Sequence, residues 1–268
     1  MPRAAAFVAC LIGLTACPER KHLDRGTQLV YSKEKGGASP REALERRLAR
    51  AGLAARLTED DTSLTVRVAE GGEVEAVKRL LSVRGRLQLC AVDELTAKDW
   101  CTHASRDVTA VRYGDAAVCR LEASTEESFE PLLGKDDVRA LFEKGEGRVV
   151  AHAAVENCLT PRLSAGEVKP AQKMNGRTVV SVTLEGKSAR ELETLTRANL
   201  GKPLLVVLDD EVLFAPLVQD AITGGRLMMT LPGATEAEVT LRLHALLGGP
   251  VEGLTLQSES RYGPPSLR

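Results

Sequence analysis

The sequence predicts an α+β fold made of two ferredoxin-like, split βαβ-type units separated by an irregular insertion. Three observations carry this prediction. Strand-type and helix-type segments alternate as strand, helix, strand, strand, helix, strand over residues 27–92. A comparable alternation resumes near Arg148 and runs to Ser258. No long repeating parallel pattern links the strands, which favours α+β over a doubly wound sheet.

Ahead of these units the chemistry is different. Met1 to Arg3 is short and basic, and Ala4 to Leu14 is an uninterrupted small-to-apolar run. These are the n-region and h-region of a secretory signal. The run is too short for a bilayer core, which needs about 20 residues. It ends in Leu14-Thr15-Ala16-Cys17, with Pro18 and Glu19-Arg20-Lys21 directly after, and so resembles a bacterial lipobox. That resemblance implies cleavage after Ala16 and acylation of Cys17, with Cys10 discarded. Residues 1–17 are therefore read as a lipoprotein signal peptide and 18–26 as a polar tether. After residue 17 no stretch approaches a membrane span, and the longest apolar run, Pro203 to Leu208, has strand length.

In the first unit, residues 27–94, Thr27 to Tyr31 reads as a strand. Ser39-Pro40-Arg41-Glu42 matches a capping box with proline at the first helical position. Leu44, Leu48 and Ala51 follow at helical spacing and Gly52 ends the helix, leaving Arg46, Arg47 and Arg50 as a solvated face. Ala55 to Thr58 is a strand, Glu59-Asp60-Asp61 a turn, and Leu64, Val66 and Val68 alternate as the returning strand. Val74, Val77, Leu80 and Leu81 mark a second helix, and Leu87, Leu89 and Ala91 a closing strand. Residues 95–147 show little periodicity beyond one amphipathic helical turn, Asp137 to Lys144, and are read as the insertion.

The second unit, residues 148–249, opens with the strand Val149 to Val155 and the loop-rich stretch 157–176. Val180, Val182 and Leu184 alternate toward a capping box at Ser188-Ala189-Arg190-Glu191, whose helix stops at Gly201. Leu204 to Leu208 and Val212 to Val218 form a hairpin around Asp209-Asp210-Glu211. The loop Ile222-Thr223-Gly224-Gly225 leads to a strand, Leu227 to Leu231. Thr235-Glu236-Ala237-Glu238 caps a last helix, and Leu254 to Ser258 is the final strand.

Composition excludes several function classes. Lys and Arg number 36 against 37 Asp and Glu, so bulk charge gives no footprint for nucleic acid or an anionic membrane. Aromatics make up 3%, with a single Trp100, which argues against a base-stacking platform. Past the signal, Cys90, Cys101, Cys119 and Cys158 remain. An even count in an exported chain points to two disulfides, with three connectivities open. A zinc site with His103 is the rival, against which stands the lack of close C-x-x-C spacing. No G-x-S-x-G, H-E-x-x-H, P-loop or G-x-G-x-x-G pattern occurs. Asp209, Asp210 and Glu211 read as a solvated turn, His152 as a core or edge histidine, and Gly224-Gly225 as a positive-φ turn. The expectation is a protein with no catalytic residue, metal or cofactor.

A family resemblance lies in the second half. Val179-Val180-Ser181-Val182-Thr183-Leu184, the helix end Leu195-Thr196-Arg197-Ala198-Asn199-Leu200-Gly201-Lys202-Pro203-Leu204, the hairpin from Val207 to Pro216 and the loop Ile222 to Gly225 resemble the head of SecD's first periplasmic domain. Ala43 to Leu48 with Gly52-Leu53 is similar to that domain's first helix, and Tyr262-Gly263-Pro264-Pro265-Ser266-Leu267 to its exit toward the membrane. The family's Gly-Gly element is reduced here to Lys35-Gly36-Gly37, and residues 95–147 have no counterpart. The resemblance implies a membrane-proximal base, 27–94 completed by 250–263, a distal head at 148–249, and a tail at 264–268. It implies contact between the head and unfolded or translocating polypeptide at the SecYEG translocon, with Phe214, Pro216, Ile222, Gly224 and Gly225 as candidate contact residues. Without further spans the chain lacks the family's transmembrane proton path. The expectation is a lipid-anchored, periplasm-facing accessory on either membrane. The alternative is a cell-envelope assembly lipoprotein that docks a folded partner, since fold alone does not decide function.

Overall fold

The computed structural model describes residues 24–33, 39–102, 105–133, 139–145, 147–161, 168–174, 177–230, 236–251 and 253–263. Cys17, His103, Lys35-Gly36-Gly37, Thr235 and the tail 264–268 lie outside the described residues.

Three sheets are present among them. The first is built from β1 (Gly26–Lys33), β2 (Ala55–Glu59) and β3 (Ser63–Ala69), with α1 (Arg41–Arg50) and α2 (Val74–Ser82) on one face. Leu29 and Tyr31, then Leu64, Val66 and Val68, alternate inward to meet Leu44, Leu48, Val77 and Leu80. That period-two pattern is what a sheet with one covered face requires. Asp60 closes the β2–β3 turn: its carboxylate accepts from the Ser63 hydroxyl at 2.6 Å and from the Thr62 and Ser63 amides at 2.8 and 2.7 Å. These bonds, the Ser63 hydroxyl first, hold its pKa far below the usual carboxylate range.

The next strand, β4 (Leu87–Ala91), does not close this sheet. It joins a second, seven-stranded sheet with α3 (Glu94–Trp100), β5 (Val108–Arg112), β6 (Cys119–Ala123), α4 (Glu130–Leu133), β7 (Arg139–Gly145) and β8 (Arg148–Ala154). The third sheet holds β9 (Val168–Met174) and β10 (Arg177–Thr183), followed by α5 (Gly186–Ala198). The hairpin β11 (Leu204–Leu208) and β12 (Glu211–Phe214) returns to the large sheet, ordered β4-β11-β12-β7-β8-β6-β5. β13 (Arg226–Thr230) completes the small sheet, β13-β10-β9. After α6 (Glu236–Gly248), β14 (Leu254–Tyr262) pairs antiparallel with β1, so the first sheet reads β14-β1-β3-β2.

The fold is thus α+β, and three expectations about its parts are corrected. First, the place expected for residues 87–91 beside the opening strands is filled by β14. β4 and β11 are buried along their whole length, because the large sheet is covered on both faces. Leu87, Leu89, Val206 and Leu208 meet the small sheet, while Cys90, Leu205 and Val207 meet α3 and Phe129. A near-continuous apolar strand suits such two-sided burial, and the polar, exposed β14 suits an edge. Second, residues 95–147 are not irregular, since they supply β5, β6 and β7. β5 and β6 are only five residues each, too short for their alternation to stand out. Third, the segment read as a helical turn at 137–144 is strand β7 over its described part, paired with β8 from Arg139↔Ala154 to Gly145↔Arg148. Cross-strand pairing with a neighbour next in sequence overrides a short helical spacing.

Two local readings also shift. The box at Ser188 lies inside α5, which begins at Gly186. Arg47, placed on a solvated face by its charge, is fully buried.

Candidate functional site

The residues singled out for polypeptide contact sit together at one end of β11–β12 and against α5. The turn at the other, closed end of this hairpin has Asp209 and Asp210 at φ 53° and 69°, the positive-φ pair of a two-residue hairpin turn. Its carboxylates are structural. Asp209 accepts from the amides of Arg86 at 2.7 Å and Gly85 at 3.0 Å, while Asp210 pairs with Arg86 at 2.8 Å. Glu211 pairs with Arg242 of α6 at 2.8 Å.

Phe214 ends β12 opposite Val206 and is half-buried against the core shared by the large and small sheets. Pro216 is exposed, and its carbonyl accepts from Leu204 N at 2.9 Å, so the stretch past β12 stays tied to β11. Ile222 is half-buried against the same core. Its amide donates to Thr196 Oγ1 at 2.9 Å, and that buried hydroxyl donates to Leu192 O at 2.8 Å. Gly224 is exposed, whereas Gly225 is buried and its carbonyl accepts from Leu184 N at 2.8 Å. The structure therefore gathers these five residues, but Phe214, Ile222 and Gly225 help to build the surface more than they project from it.

The side chains that do project were not singled out in the sequence. Met228, in the middle of β13, is 64% exposed between buried Leu227 and Met229. A strict alternation reading of Leu227-Met228-Met229 would have found it. Leu95, Leu200 and Leu217 are 79%, 49% and 38% exposed and come from three distant segments. The Glu94–Lys202 ion pair and the Pro203↔Leu217 bridge draw those segments toward one another. No local sequence signal marks such a convergence.

Four of the six cysteines form the bridges Cys90–Cys158 and Cys101–Cys119. The first ties β4 to the segment after β8, where Leu89 and Leu159 exchange backbone bonds of 2.8 and 2.9 Å. The second ties the end of α3 to β6. Among the described residues no three His, Cys, Asp or Glu side chains form a set that could hold a metal ion. No helix among them is long and apolar enough to cross a membrane.

A buried polar group lies in the large sheet. His152 of β8 is 0% exposed; its Nδ1 shares a 2.5 Å hydrogen bond with the Tyr113 hydroxyl. Its Nε2 is 3.3 Å from the Glu143 carboxylate, an electrostatic contact without good hydrogen-bond alignment. Arg120 stacks over the Tyr113 ring at 5.6 Å and pairs with Glu122. Burial lowers the His152 pKa from 6.5, against the opposing pull of Glu143, and His152 in turn lowers that of Glu143. Burial raises that of Tyr113.

The depressed His152 pKa has a consequence for stability. The unfolded chain takes up a proton near pH 6.5 and the native state does not, so stability present above that pH falls as pH drops toward the native pKa. The slope is at most about 1.4 kcal/mol per pH unit. His152→Gln should flatten the fall in urea midpoint between pH 7.5 and 5, leaving the smaller share of half-buried His244, whose pKa burial also lowers. A variant with an unchanged slope would remove His152 from this role.

Residues 144–249 match the family model for the SecDF P1 head subdomain. SecDF of Thermus thermophilus is 39% identical over 75 residues, covering 26% of this chain and 10% of that protein. SecD of Rhodobacter capsulatus is 31% identical over 98 residues, covering 37% of this chain and 18% of that protein. The chain thus spans well under a third of the length of these relatives. A crystal structure of SecDF in a super-membrane-facing form superposes with a TM-score of 0.54 at 18% identity, covering 89% of this chain and 31% of that one. A structure of SecDF, a membrane component that enhances protein export, superposes at 0.53 and 19%, covering 86% and 98%. At these identities the superpositions speak for the fold. Sequence over the head and fold over most of the chain both resemble the periplasmic domain of SecD and SecDF.

Proposed function

We propose that this chain is a non-catalytic, periplasm-facing accessory of protein export, held to a membrane through lipid on Cys17, that binds extended polypeptide on its head. One observation carries the reading. β13 hydrogen-bonds to β10 on one side and has no strand partner on the other among the described residues. An unpaired edge offers a row of backbone donors and acceptors to an added strand, and alternate side chains set what it accepts. Exposed Met228 at the middle of that edge supplies a soft, adaptable apolar contact. The resemblance to SecD supports polypeptide in transit, with the SecYEG translocon nearby, as the occupant.

The test is photocrosslinking in cells from Met228 and Phe214. Adducts to a translocation-arrested chain, increasing when the channel is jammed, are expected; none at either position would sink the proposal. Labelled palmitate should enter the wild type and not Cys17→Ala, and equal labelling would remove the anchor. A second reading, docking of a folded envelope partner, is favoured by the exposed Leu95, Leu200 and Leu217. Its signature is one stoichiometric adduct from Leu95, indifferent to a block in export.

A further inference from the structure

β4 is an outermost strand of the large sheet, yet it is buried along its whole length. A thin strap, residues 155–160, follows β8 and covers its outer edge. Val155 N donates to Ala91 O at 3.1 Å, and Leu89 and Leu159 each donate an amide to the other's carbonyl. Between these points Glu156 and Asn157 stand exposed. Leu159 packs half-buried against the core shared by the large and small sheets. The strap thus lies where a strand added antiparallel to β4 would lie, with one leucine in an apolar socket.

Its other non-covalent attachments are slight among the described residues. Gln88 Nε2 donates to Thr160 Oγ1 at 3.4 Å, and Arg139 Nη1 to Glu156 O at 3.1 Å. The firm attachment is the Cys90–Cys158 bridge, one residue from the Leu89–Leu159 pair. Its two sulfurs differ in access. Cys90 is 0% exposed, whereas Cys158 is half-buried with Arg139 Nη1 3.1 Å from its Sγ.

We propose that the outer edge of β4 is a second edge for extended polypeptide, shut by the strap, and that a dithiol opens it at Cys158. The Arg139 guanidinium draws the attacking thiolate toward the accessible sulfur. A bond forms to Cys158 Sγ, the Cys90–Cys158 bond breaks, and Cys90 leaves as a thiolate that takes a proton. The reagent's second thiol, having lost its proton, attacks the reagent's own bonded sulfur and releases Cys158 as a thiolate beside Arg139. Two electrons pass to the protein, and the dithiol becomes a disulfide. Without its crosslink the strap is a segment with few buried contacts, the kind that opens locally. It uncovers backbone donors and acceptors that take an extended chain with a large apolar residue in the place of Leu159. This edge is separate from β13 and stands whether or not β13 accepts a strand.

The rival is that the bridge is a structural staple and nothing more. Three measurements on the whole protein separate the two. Glutathione, a monothiol, quenched early in acid, should be trapped on Cys158 with Cys90 free; an adduct on Cys90 overturns the route. In Cys90→Ser with Cys158→Ser, the amides of Leu89, Val155 and Leu159 should exchange at least tenfold faster, while those of β8 and β11 stay slow. A labelled peptide copying residues 153–161 with Cys158→Ser should bind this variant at least tenfold tighter than the oxidised protein. The same peptide with Leu159→Asp should not bind. If the variant does not fold, wild type reduced and alkylated takes its place. Strap amides that stay protected, protection lost equally through β8 and β11, or peptide binding that is absent or equal in the two forms would each overturn the proposal. So would failure of both opened forms to fold.

Discussion

Breaking the Cys90–Cys158 bridge should cost about 4 kcal/mol of unfolding free energy, a large part of the roughly 5–15 kcal/mol that holds a native protein together. The expectation follows from the 68-residue separation of the two cysteines. A crosslink over a loop of that length removes much of the freedom of the unfolded chain. Cys101–Cys119 closes 18 residues and contributes about 3 kcal/mol by the same argument. The short loop lies inside the long one, so the two contributions overlap. The bridges also act at particular places, the first anchoring β4 beside Leu159 and the second holding α3 on β6. Guanidinium melts with and without reductant measure the effect, and Cys90→Ser with Cys158→Ser isolates the longer loop. Midpoints that do not move on reduction would deny the bridges any role in stability.

Gly225→Ala should cost about 3 kcal/mol or more, while Gly224→Ala one residue away should cost only about 1 kcal/mol. Both glycines have positive φ, +75° at Gly224 and +70° at Gly225, so both substitutions carry the left-handed strain. Only Gly225 adds a collision. Its Cβ would stand 2.2 Å from Leu184 O and 2.9 Å from Ala189 Cβ, whereas at Gly224 nothing lies within 4 Å. Leu184 O is backbone and cannot rotate away, so relief requires the Gly225 turn to draw back from the end of β10 and the start of α5. The Leu184–Gly225 hydrogen bond would go with them, and it sets where β13 begins. Equal losses for the two variants in urea melts would show that positive φ alone matters here. Reduced crosslinking from Met228 in Gly225→Ala would further link this turn to the proposed edge.

Much of the candidate surface was legible locally. The tight turn at Asp209-Asp210 follows from two turn residues between apolar runs, and its positive φ values are what such a hairpin needs. Gly224-Gly225 read as a positive-φ turn for the same reason. The inward face of β3 was visible as strict alternation. What stayed hidden involves partners far away in the chain. Arg47 looks like one more charge on an amphipathic helix until the carbonyls of Val83, Arg84 and Gly249 surround it. His152 read only as a core or edge histidine, and neither Tyr113 nor Glu143 could be named as its neighbour. Leu95, Leu200 and Leu217 are drawn toward one another by the Glu94–Lys202 pair and the Pro203↔Leu217 bridge, neither of which a local reading could supply.

The amino-acid sequence by itself determined the class of the fold, most of the strands and helices, the turn at Asp209, the resemblance of the second half to a SecD head and the choice of Cys90, Cys101, Cys119 and Cys158 as disulfide candidates. Those features rest on backbone geometry, side-chain periodicity and composition, which act over a few residues. Tertiary structure alone decided that β4 leaves the opening sheet, to which the SecD resemblance had already assigned residues 250–263, that residues 139–145 extend beside β8, and which cysteine meets which. It also decided that Arg47 is interior. In each case competing local preferences differ by about a kilocalorie per mole. Burying a large apolar side chain is worth roughly 1.5–3 kcal/mol, and an unpaired interior charge costs more. These stronger forces act between segments far apart in the chain, and they chose the partners.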